Sequence, residues 1–355
     1  MFLNKGEEAN TNHQQRIDLL RQVMLLEKLS NASGPSGYEG EIRNIIREEV
    51  KKIVDDIIVD RMGNVIVHKK GDGPKVVVDA HMDEVGFIIT GFNEDGTLRF
   101  SQLGGVNSKV IPCKVVYVGE KKIPGVIGLK PIHLQSGEER KRNIHYSDCC
   151  IDIGSNSRQE TETMIELGDY VVFSTEFSGF GEGLIKGKAL DDRIGCAVAI
   201  ELLREEYNCD LYVVFNVQEE VGERGAYVSS FSIKPDIGIV LEGTICADMP
   251  SVPKHQAATE INKGPAISIM DRTSIFNHDI SKAITDTAEK NNIPYQYRRA
   301  IAGGNDAGAI HMSGEGAKIA TVSVPCRYIH SSISVASMED FSNTIKLMTA
   351  YLKTL

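Results

Sequence analysis

Apolar residues recur along the chain at two different spacings, and each spacing predicts a different kind of element. Over residues 17–29 they recur at helical spacing, which predicts an amphipathic helix. The turn-rich segment SGPSGYEGE at 33–41 leads into a second helix with the same spacing. The run PKVVVDAH at 74–81 is apolar almost throughout, as in strands buried on both faces of a parallel sheet. The first part of the chain therefore predicts an α/β arrangement.

Helical spacing is absent between about 88 and 182. Short alternating or β-branched segments are separated there by Gly, Pro, Asp and Asn, a pattern typical of a small barrel or sandwich. The simplest interpretation is one α/β domain, residues 1–88 and 182–355, interrupted by an inserted β-domain at 89–181. From residue 187 the pattern alternates again, with helices at 192–207, 224–231, 278–291 and from about 338, and strands at 211–218, 237–242, 265–270 and 318–324.

Composition and charge restrict the class of protein. Of the 355 residues, 41% are apolar and 25% are charged, which is typical of a globular domain and argues against a disordered or fibrous chain. The formal net charge is −10 and no dense Lys/Arg tract is present, so binding to nucleic acid or to an anionic membrane is not expected. No apolar run approaches the ~20 residues that span a bilayer. Residues 1–16 lack the apolar core of a secretion signal, and we expect a cytoplasmic protein.

The cysteines agree with that expectation. The chain has seven, an odd number, and none are in CxxC spacing. This argues against a disulfide framework and against a cysteine-rich zinc module. Most are interpreted as small apolar residues of the core.

Acids and histidines occupy positions at the ends of predicted core strands or at a helix start. In open α/β sheets, ligands gather outside the carboxyl ends of the strands. Taken singly, an acid pair can cap a helix or end a solvated strand, and a histidine can be a hydrogen-bonded core residue. One dinuclear metal site accounts for all of them together. The five segments carry His81, Asp191–Asp192, Glu219–Glu220, Glu242 and His330.

The donor set predicts the kind of ion. Two imidazoles with three or four carboxylates and no thiolate suit zinc, cobalt or manganese. Two ions ~3.5–4 Å apart need a carboxylate that bridges them, as in phosphatases and aminopeptidases. In the doublet Glu219–Glu220, one carboxylate can bind metal while the other stays free as a general base. Asp83, two residues after His81, is placed to fix the tautomer of that imidazole.

Four segments together resemble one known family, that of the tetrahedral aminopeptidases. They are GKALDDRIGC at 187–196, NVQEEVGERGA at 216–226, GGNDAGAIH at 303–311 and AHMDEVGF at 80–87. The resemblance runs from about Leu25 to the C-terminus, and the family includes glutamyl and deblocking aminopeptidases and proteins formerly labelled cellulases. It implies an α/β fold with a mixed, twisted central sheet, helices on both faces, and an inserted small β-barrel used for dimerisation. It also implies a homo-oligomer, a tetrahedral dodecamer built from dimers.

The resemblance also implies the metal ligands. Two divalent ions per subunit, zinc or cobalt, are expected. His81 and Glu242 would ligate one ion, and Glu220 and His330 would ligate the other. Asp191, the first acid of the DDR motif, would bridge the two ions.

The implied activity is removal of the N-terminal amino acid from short peptides by attack of a metal-activated water. Glu219 would be the catalytic base and acid. Asp83 would orient His81, whereas Asp192 would cap a helix or support the site without binding metal. The expected partners are therefore peptide substrates and further copies of the same chain.

Two other interpretations stay open. The site could hydrolyse another bond, such as an N-acyl amide in a deblocking reaction; a glycoside fits poorly because glycosidases need free carboxylates on both sides of the sugar. The chain could also be a retired enzyme that serves as an assembly scaffold, although such sites tend to lose a ligand or the base. The sequence departs from the family at Asn305, where Thr is common, and at 131–133, which often reads Pro-Pro-His. The segment 271–276 and the region around Arg327 are candidates for the side-chain pocket.

Overall fold

The computed structural model describes residues 13–54 and 56–355, so the polar segment 1–12 lies outside the described residues. Within this part of the chain, no helix is long and apolar enough to cross a membrane. The helices are α1 His13–Asn31, α2 Gly40–Val50, α3 Arg158–Glu162, α4 Leu190–Leu202, α5 Arg224–Ile233, α6 His278–Lys290, α7 Ala307–His311 and α8 Met338–Leu352. The strands are β1 Ile57–Val59, β2 Val65–Lys69, β3 Lys75–His81, β4 Gly86–Phe92, β5 Leu98–Leu103, β6 Val115–Val118, β7 Ile123–Leu129, β8 Cys149–Asp152, β9 Tyr170–Phe173, β10 Ser178–Phe180, β11 Leu184–Gly187, β12 Asp210–Asn216, β13 Ile237–Ile245, β14 Ala266–Ser268, β15 Gln296–Arg298, β16 Lys318–Arg327 and β17 Ser334–Ser337.

The larger unit of the described chain is built on a mixed sheet of 11 strands. Its main order is β1-β2-β12-β3-β13-β16-β17-β11-β10, with β14 beside β16 and β15 beside β14. The four central strands β12, β3, β13 and β16 are parallel to one another. Their carboxyl ends therefore lie at one edge of the sheet, where a ligand site is expected.

Both faces of the central strands are buried, because alternate residues enter two different cores. In β3, Val76 and Val78 pack with residues of α1, α2, α4, α6 and α8. Val77 packs on the opposite face with residues of α5 and α7. Successive side chains of a strand point to opposite faces, so burial on both sides explains the continuous apolar run at 74–81. The predicted central sheet with helices on both faces is confirmed.

The second unit is a closed barrel of strands in the order β4-β5-β8-β7-β6-β9. It has a core of its own, in which the ring of Phe87 makes edge contacts with Phe100 and Phe173 at centroid distances of 5.1 and 5.5 Å. The predicted small β-barrel is confirmed. Its strands lie between Gly86 and Phe173, while the domain boundaries at 88/89 and 181/182 stay a prediction.

The helix predicted at 192–207 differs most from the structure, since α4 ends at Leu202. The N–H of Leu203 still bonds four residues back, to Ala199, but those of Arg204 and Glu205 bond to carbonyls three residues back at 3.2 Å, so the last turn tightens where the helix ends. Tyr207 nevertheless packs on the same core from the following turn. Apolar spacing therefore continued past the true end of the helix.

A buried ionic cluster joins the end of α1 to the sheet. Lys188 Nζ lies 2.7 and 2.8 Å from the carboxylate oxygens of Glu84 and donates to the Ala32 carbonyl at 2.6 Å. Arg193 Nη2 lies 3.3 Å from Glu84, and its Nη1 donates to the Leu29 carbonyl at 2.6 Å. The three charged side chains are buried. Removing one of them would leave a buried charge with less compensation, which is costly.

The variant Lys188→Met is expected to lower the free energy of unfolding by about 3 kcal/mol, because the longer contact to Arg193 would be the one charged contact left to the buried carboxylate of Glu84 in this cluster. Urea unfolding of the metal-free protein measures this loss. Lys28→Met is the matched control: Lys28 also lies 2.7 Å from its partner Glu49, but its side chain is 47% exposed. The control should cost less than about 1 kcal/mol. Equal losses in the two variants would contradict the role given to the buried cluster.

Candidate metal centre

All the predicted ligands come together at the carboxyl edge of the central parallel strands. They are carried by separate elements, so they become neighbours only when the chain folds. His81 ends β3, Asp191 lies in the first turn of α4, Glu220 follows β12, Glu242 lies in β13, and His330 follows β16.

Three of these residues do not directly follow a strand end as expected, and the first is Glu220, because β12 already ends at Asn216. β13 continues beyond Glu242 to Ile245, because it stays paired with β16 as far as Cys326. β16 ends at Arg327, and His330 follows with a left-handed φ of 57°. All three side chains still reach the same centre as the others.

His81, Asp191 and Glu242 form the first group of donors. Each offers one ligand atom, and these atoms all lie within 4.8 Å of one another. Nε2 of His81 is 3.4 Å from Oδ1 of Asp191 and 3.2 Å from Oε1 of Glu242. Nδ1 of His81 lies 3.2 Å from the carbonyl oxygen of Asp83. In the neutral ring, that contact assigns the hydrogen to Nδ1 and leaves the lone pair of Nε2 directed at the acids.

Asp191, Glu220 and His330 form the second group, within the same 4.8 Å limit. Nε2 of His330 is 3.4 Å from Oδ2 of Asp191, and Nδ1 lies 3.0 Å from the carbonyl oxygen of Gly105. The tautomer is therefore set in the same way as in the first group. The two oxygens of Asp191 face different imidazoles, Oδ1 toward His81 and Oδ2 toward His330. A bridging carboxylate needs this arrangement.

The two imidazoles compensate the acids of these groups only in part. Oδ1 of Asp191 and Oε2 of Glu242 are buried without a hydrogen-bond partner. Burial is the largest cause that raises the pKa of Glu242 to about 8 and that of Glu220 to about 7, and the charge of Asp191 adds to both shifts. Ionised carboxylates in such a place need cations. Imidazole nitrogens and carboxylate oxygens are donors that zinc and related ions accept, so the residues fit divalent metal ions.

Asp83 has more partners than the predicted contact with His81. Its carboxylate is fully buried, and Oδ1 lies 3.4 Å from Nδ1 of His81. Oδ1 also accepts the backbone N–H of Glu219 at 3.0 Å, and Oδ2 accepts that of Glu220 at 3.3 Å. Asp83 thus holds the backbone that carries both acids after β12. The sequence did not indicate these contacts, because they join residues 136 and 137 positions apart.

Glu219 lies beside the two groups and belongs to neither. Its Oε2 is 3.9 Å from Nε2 of His81, and its side chain is 14% exposed toward a cavity. Burial raises the pKa of Glu219 well above its ordinary value, and the charges of Glu242 and Glu220 act in the same direction, against the opposite effect of His81. A carboxyl group with a raised pKa at a cavity wall suits proton transfer.

The cavity has a volume of about 640 Å³, within the range of small-ligand sites. Arg327 is not part of its lining, because its guanidinium makes two 2.7 Å hydrogen bonds to Asp248. The other pocket candidate, 271–276, contributes Asp271, Arg272 and Thr273. The sequence did not indicate several further lining residues, which come from separate elements of the fold: Glu223 precedes α5, and Thr244, Ser268 and Arg298 lie in β13, β14 and β15.

A second acidic cluster, which the sequence prediction missed, is buried near the centre. Asp79 and Asp306 both accept hydrogen bonds from the side-chain amide of Asn216, and all three are buried. Burial raises the pKa of Asp306 to about 6. The available signal was Asp79 itself, an acid inside the apolar run at 74–81, because a buried acid needs partners.

Comparisons with known proteins agree with this geometry. The M42 glutamyl aminopeptidase family model matches residues 63–347. The chain is 36% identical over 339 residues to the lysyl aminopeptidase of Pyrococcus furiosus, covering 93% of this chain and 96% of that protein. A TET aminopeptidase from a marine sediment Thaumarchaeota archaeon superposes with a TM-score of 0.92 at 36% identity, covering 95% of this chain and 97% of that one.

The TET1 peptidase of Pyrococcus horikoshii superposes with a TM-score of 0.85 at 33% identity, covering 94% of this chain and 100% of that one. These matches span nearly the whole chain, as the four motifs predicted. The predicted family and the predicted enzyme class, a hydrolase acting on peptide bonds, are both confirmed. The chain belongs to the M42 glutamyl aminopeptidase family.

Proposed function

We propose that this chain is a dinuclear metallo-aminopeptidase that removes the N-terminal residue from short peptides, with zinc or cobalt as its ions. One observation carries the proposal: Asp191 turns its two oxygens toward two separate groups of donors, and the free carboxylate of Glu219 lies beside them. Family membership supports the type of bond that is cut, because the relatives compared above are named as aminopeptidases or peptidases.

The two groups of donors would each hold one ion. His81 and Glu242 would bind the first, Glu220 and His330 the second, and Asp191 would bind both. Bound divalent ions supply Lewis-acid polarisation of a carbonyl group and lower the pKa of water.

The side chains of the protein position the donors and move the proton. The contacts from Nδ1 to the carbonyls of Asp83 and Gly105 keep both imidazoles turned with Nε2 toward the acids. Glu219 accepts a proton from the attacking water while the oxygen of that water bonds to the scissile carbonyl carbon. When the C–N bond breaks, the same carboxyl group returns that proton to the leaving amine, so Glu219 ends the cycle as it began.

Removal of metal by EDTA is expected to lower the rate of aminoacyl-nitroanilide hydrolysis at least about 100-fold, because the polarising ions are lost. Re-addition of zinc or cobalt to the dialysed protein should restore the rate. Release of nitroaniline and elemental analysis of the same samples measure activity and metal content together. Full activity in a metal-free sample would contradict the proposal.

The same assay decides between the proposed activity and the alternatives. A panel of free N-terminal residues, paired with N-acetylated forms of the same substrates, separates an aminopeptidase from an N-acyl or deblocking hydrolase. The panel also reads out the preference for acidic, neutral or basic N-terminal residues. Protein that is folded but takes up neither zinc nor cobalt would favour the scaffold interpretation instead.

We further propose that the chain assembles as a tetrahedral dodecamer built from dimers and works in the cytoplasm. The assembly is supported by the structural neighbours, one of which is described as a dodecamer and another as forming a tetrahedron or an octahedral shell. Ile132 lies in the segment 131–133, where the family resemblance implies a contact with a neighbouring subunit, and Leu134 directly follows it. Their exposed fractions of 72% and 61% suit a surface covered in an assembly. All seven cysteines are free thiols, as expected in a reducing compartment.

A further inference from the structure

The turn-rich motif at 33–41 packs behind the candidate metal centre, and its loop is pinned to the chain just after β3. The N–H of Glu84 donates to the Gly34 carbonyl, and the N–H of Gly34 donates to Oε1 of Glu84, both at 3.0 Å. A short parallel bridge joins Pro35 to Glu84. The loop therefore has a defined position relative to Asp83, the preceding residue.

Ser36 in this loop is 4% exposed, and its hydroxyl donates to Oδ2 of Asp83 at 2.6 Å. The same Oδ2 accepts the N–H of Glu220 at the longer distance of 3.3 Å. Oδ1 accepts the N–H of Glu219 and faces Nδ1 of His81. The hydrogen bond from Ser36 is thus the shortest of these contacts of the Asp83 carboxylate. The other partners of that carboxylate are all residues of the candidate metal centre.

We propose that Ser36 is a positioning residue for the reaction, which acts through Asp83 on the backbone of Glu219 and Glu220. The inference rests on the proposed function, because it concerns the placement of the base and of one ligand. Without the hydroxyl, Oδ2 keeps only its longer contact to the N–H of Glu220, and the orientation of the carboxylate depends mainly on the contacts of Oδ1. Displacements of about 0.5 Å in such a supporting shell are enough to impair a catalytic arrangement.

Ser36→Ala is expected to lower kcat about 10-fold and to weaken zinc affinity about 10-fold, with KM changed less than about twofold. Zinc affinity is measured by competition with a chromophoric chelator, independently of activity. Ser30→Ala is the matched control, because Ser30 is also buried and also donates one hydrogen bond of 2.6 Å, to the carbonyl of Lys188. The control should lose stability but keep kcat and zinc affinity within about twofold.

A double-mutant cycle with Asp83→Asn tests the route of the effect. If Ser36 acts through Asp83, adding Ser36→Ala to Asp83→Asn should change kcat and zinc affinity by less than about twofold. Three results would each overturn the proposal. The first is a kcat and a zinc affinity of Ser36→Ala close to those of the wild type, and the second is a full 10-fold effect of Ser36→Ala in the Asp83→Asn background. The third is an equal loss of kcat in Ser30→Ala. Failure of the proposed function gives a different result from failure of this inference. The wild-type protein would then release no amino acid, but the zinc affinity of Ser36→Ala would still test the role of Ser36.

Discussion

Replacing Glu219 with glutamine is expected to lower kcat by about 10³-fold while leaving the metal content unchanged. The side chain keeps its size and lies outside both groups of donors, so the ligands should stay in place. Glutamine cannot take a proton from water, and a positioned general base typically contributes about 10²–10⁴-fold. Steady-state rates on an aminoacyl-nitroanilide and elemental analysis of the purified variant check the two halves of the prediction.

The neighbouring residue provides the control. Glu220→Gln makes the same chemical change one position along, but Glu220 belongs to the second group of donors. This variant should bind less metal, whereas Glu219→Gln should not. Near-normal rates for Glu219→Gln would remove Glu219 from the mechanism. Metal loss in that variant would instead move Glu219 among the ligands.

Replacing Asp191 with asparagine is expected to cause a still larger loss, about 10⁴-fold in kcat, together with loss of bound metal. Asp191 is the one donor common to both groups, and each of its oxygens faces a different imidazole. An amide offers a single oxygen and a nitrogen that is not a ligand, so the two ions could no longer share this side chain. Metal content by elemental analysis, compared with kcat at saturating substrate, measures both effects.

Asp192→Asn is the matched control for Asp191→Asn. Asp192 is adjacent and fully buried, but it belongs to neither group, and its Oδ1 accepts the N–H of Gly195 at 2.9 Å. The asparagine oxygen can accept the same hydrogen bond, so this variant should keep its metal. If both variants lost metal equally, general disturbance of the start of α4 would explain the result, and the bridging role of Asp191 would be wrong.

Most residues of the candidate site could be predicted from the sequence because their positions depend on a local feature, the end of an apolar run. His81, Glu219 and Glu220 follow apolar runs that end where ligands of an α/β sheet gather, and each is marked by its own neighbours in the sequence. Glu242 was assigned to the candidate site for the same reason, although β13 continues past it. The end of α4 was misplaced because Tyr207 packs on the core after the helix has stopped, and apolar spacing does not distinguish these two situations.

The two kinds of unit, the family and the candidate donors could all be predicted from the sequence, since these follow from periodicity and from motifs that each occupy a few consecutive residues. Three features could be read only from the fold: which oxygen of Asp191 faces which imidazole, that Asp83 holds the backbone of Glu219 and Glu220, and that Arg327 pairs with Asp248 away from the cavity. These contacts join segments far apart in the chain. Their partners are selected by strand order and side-chain rotamers, and spacing along a single sequence carries no information about either.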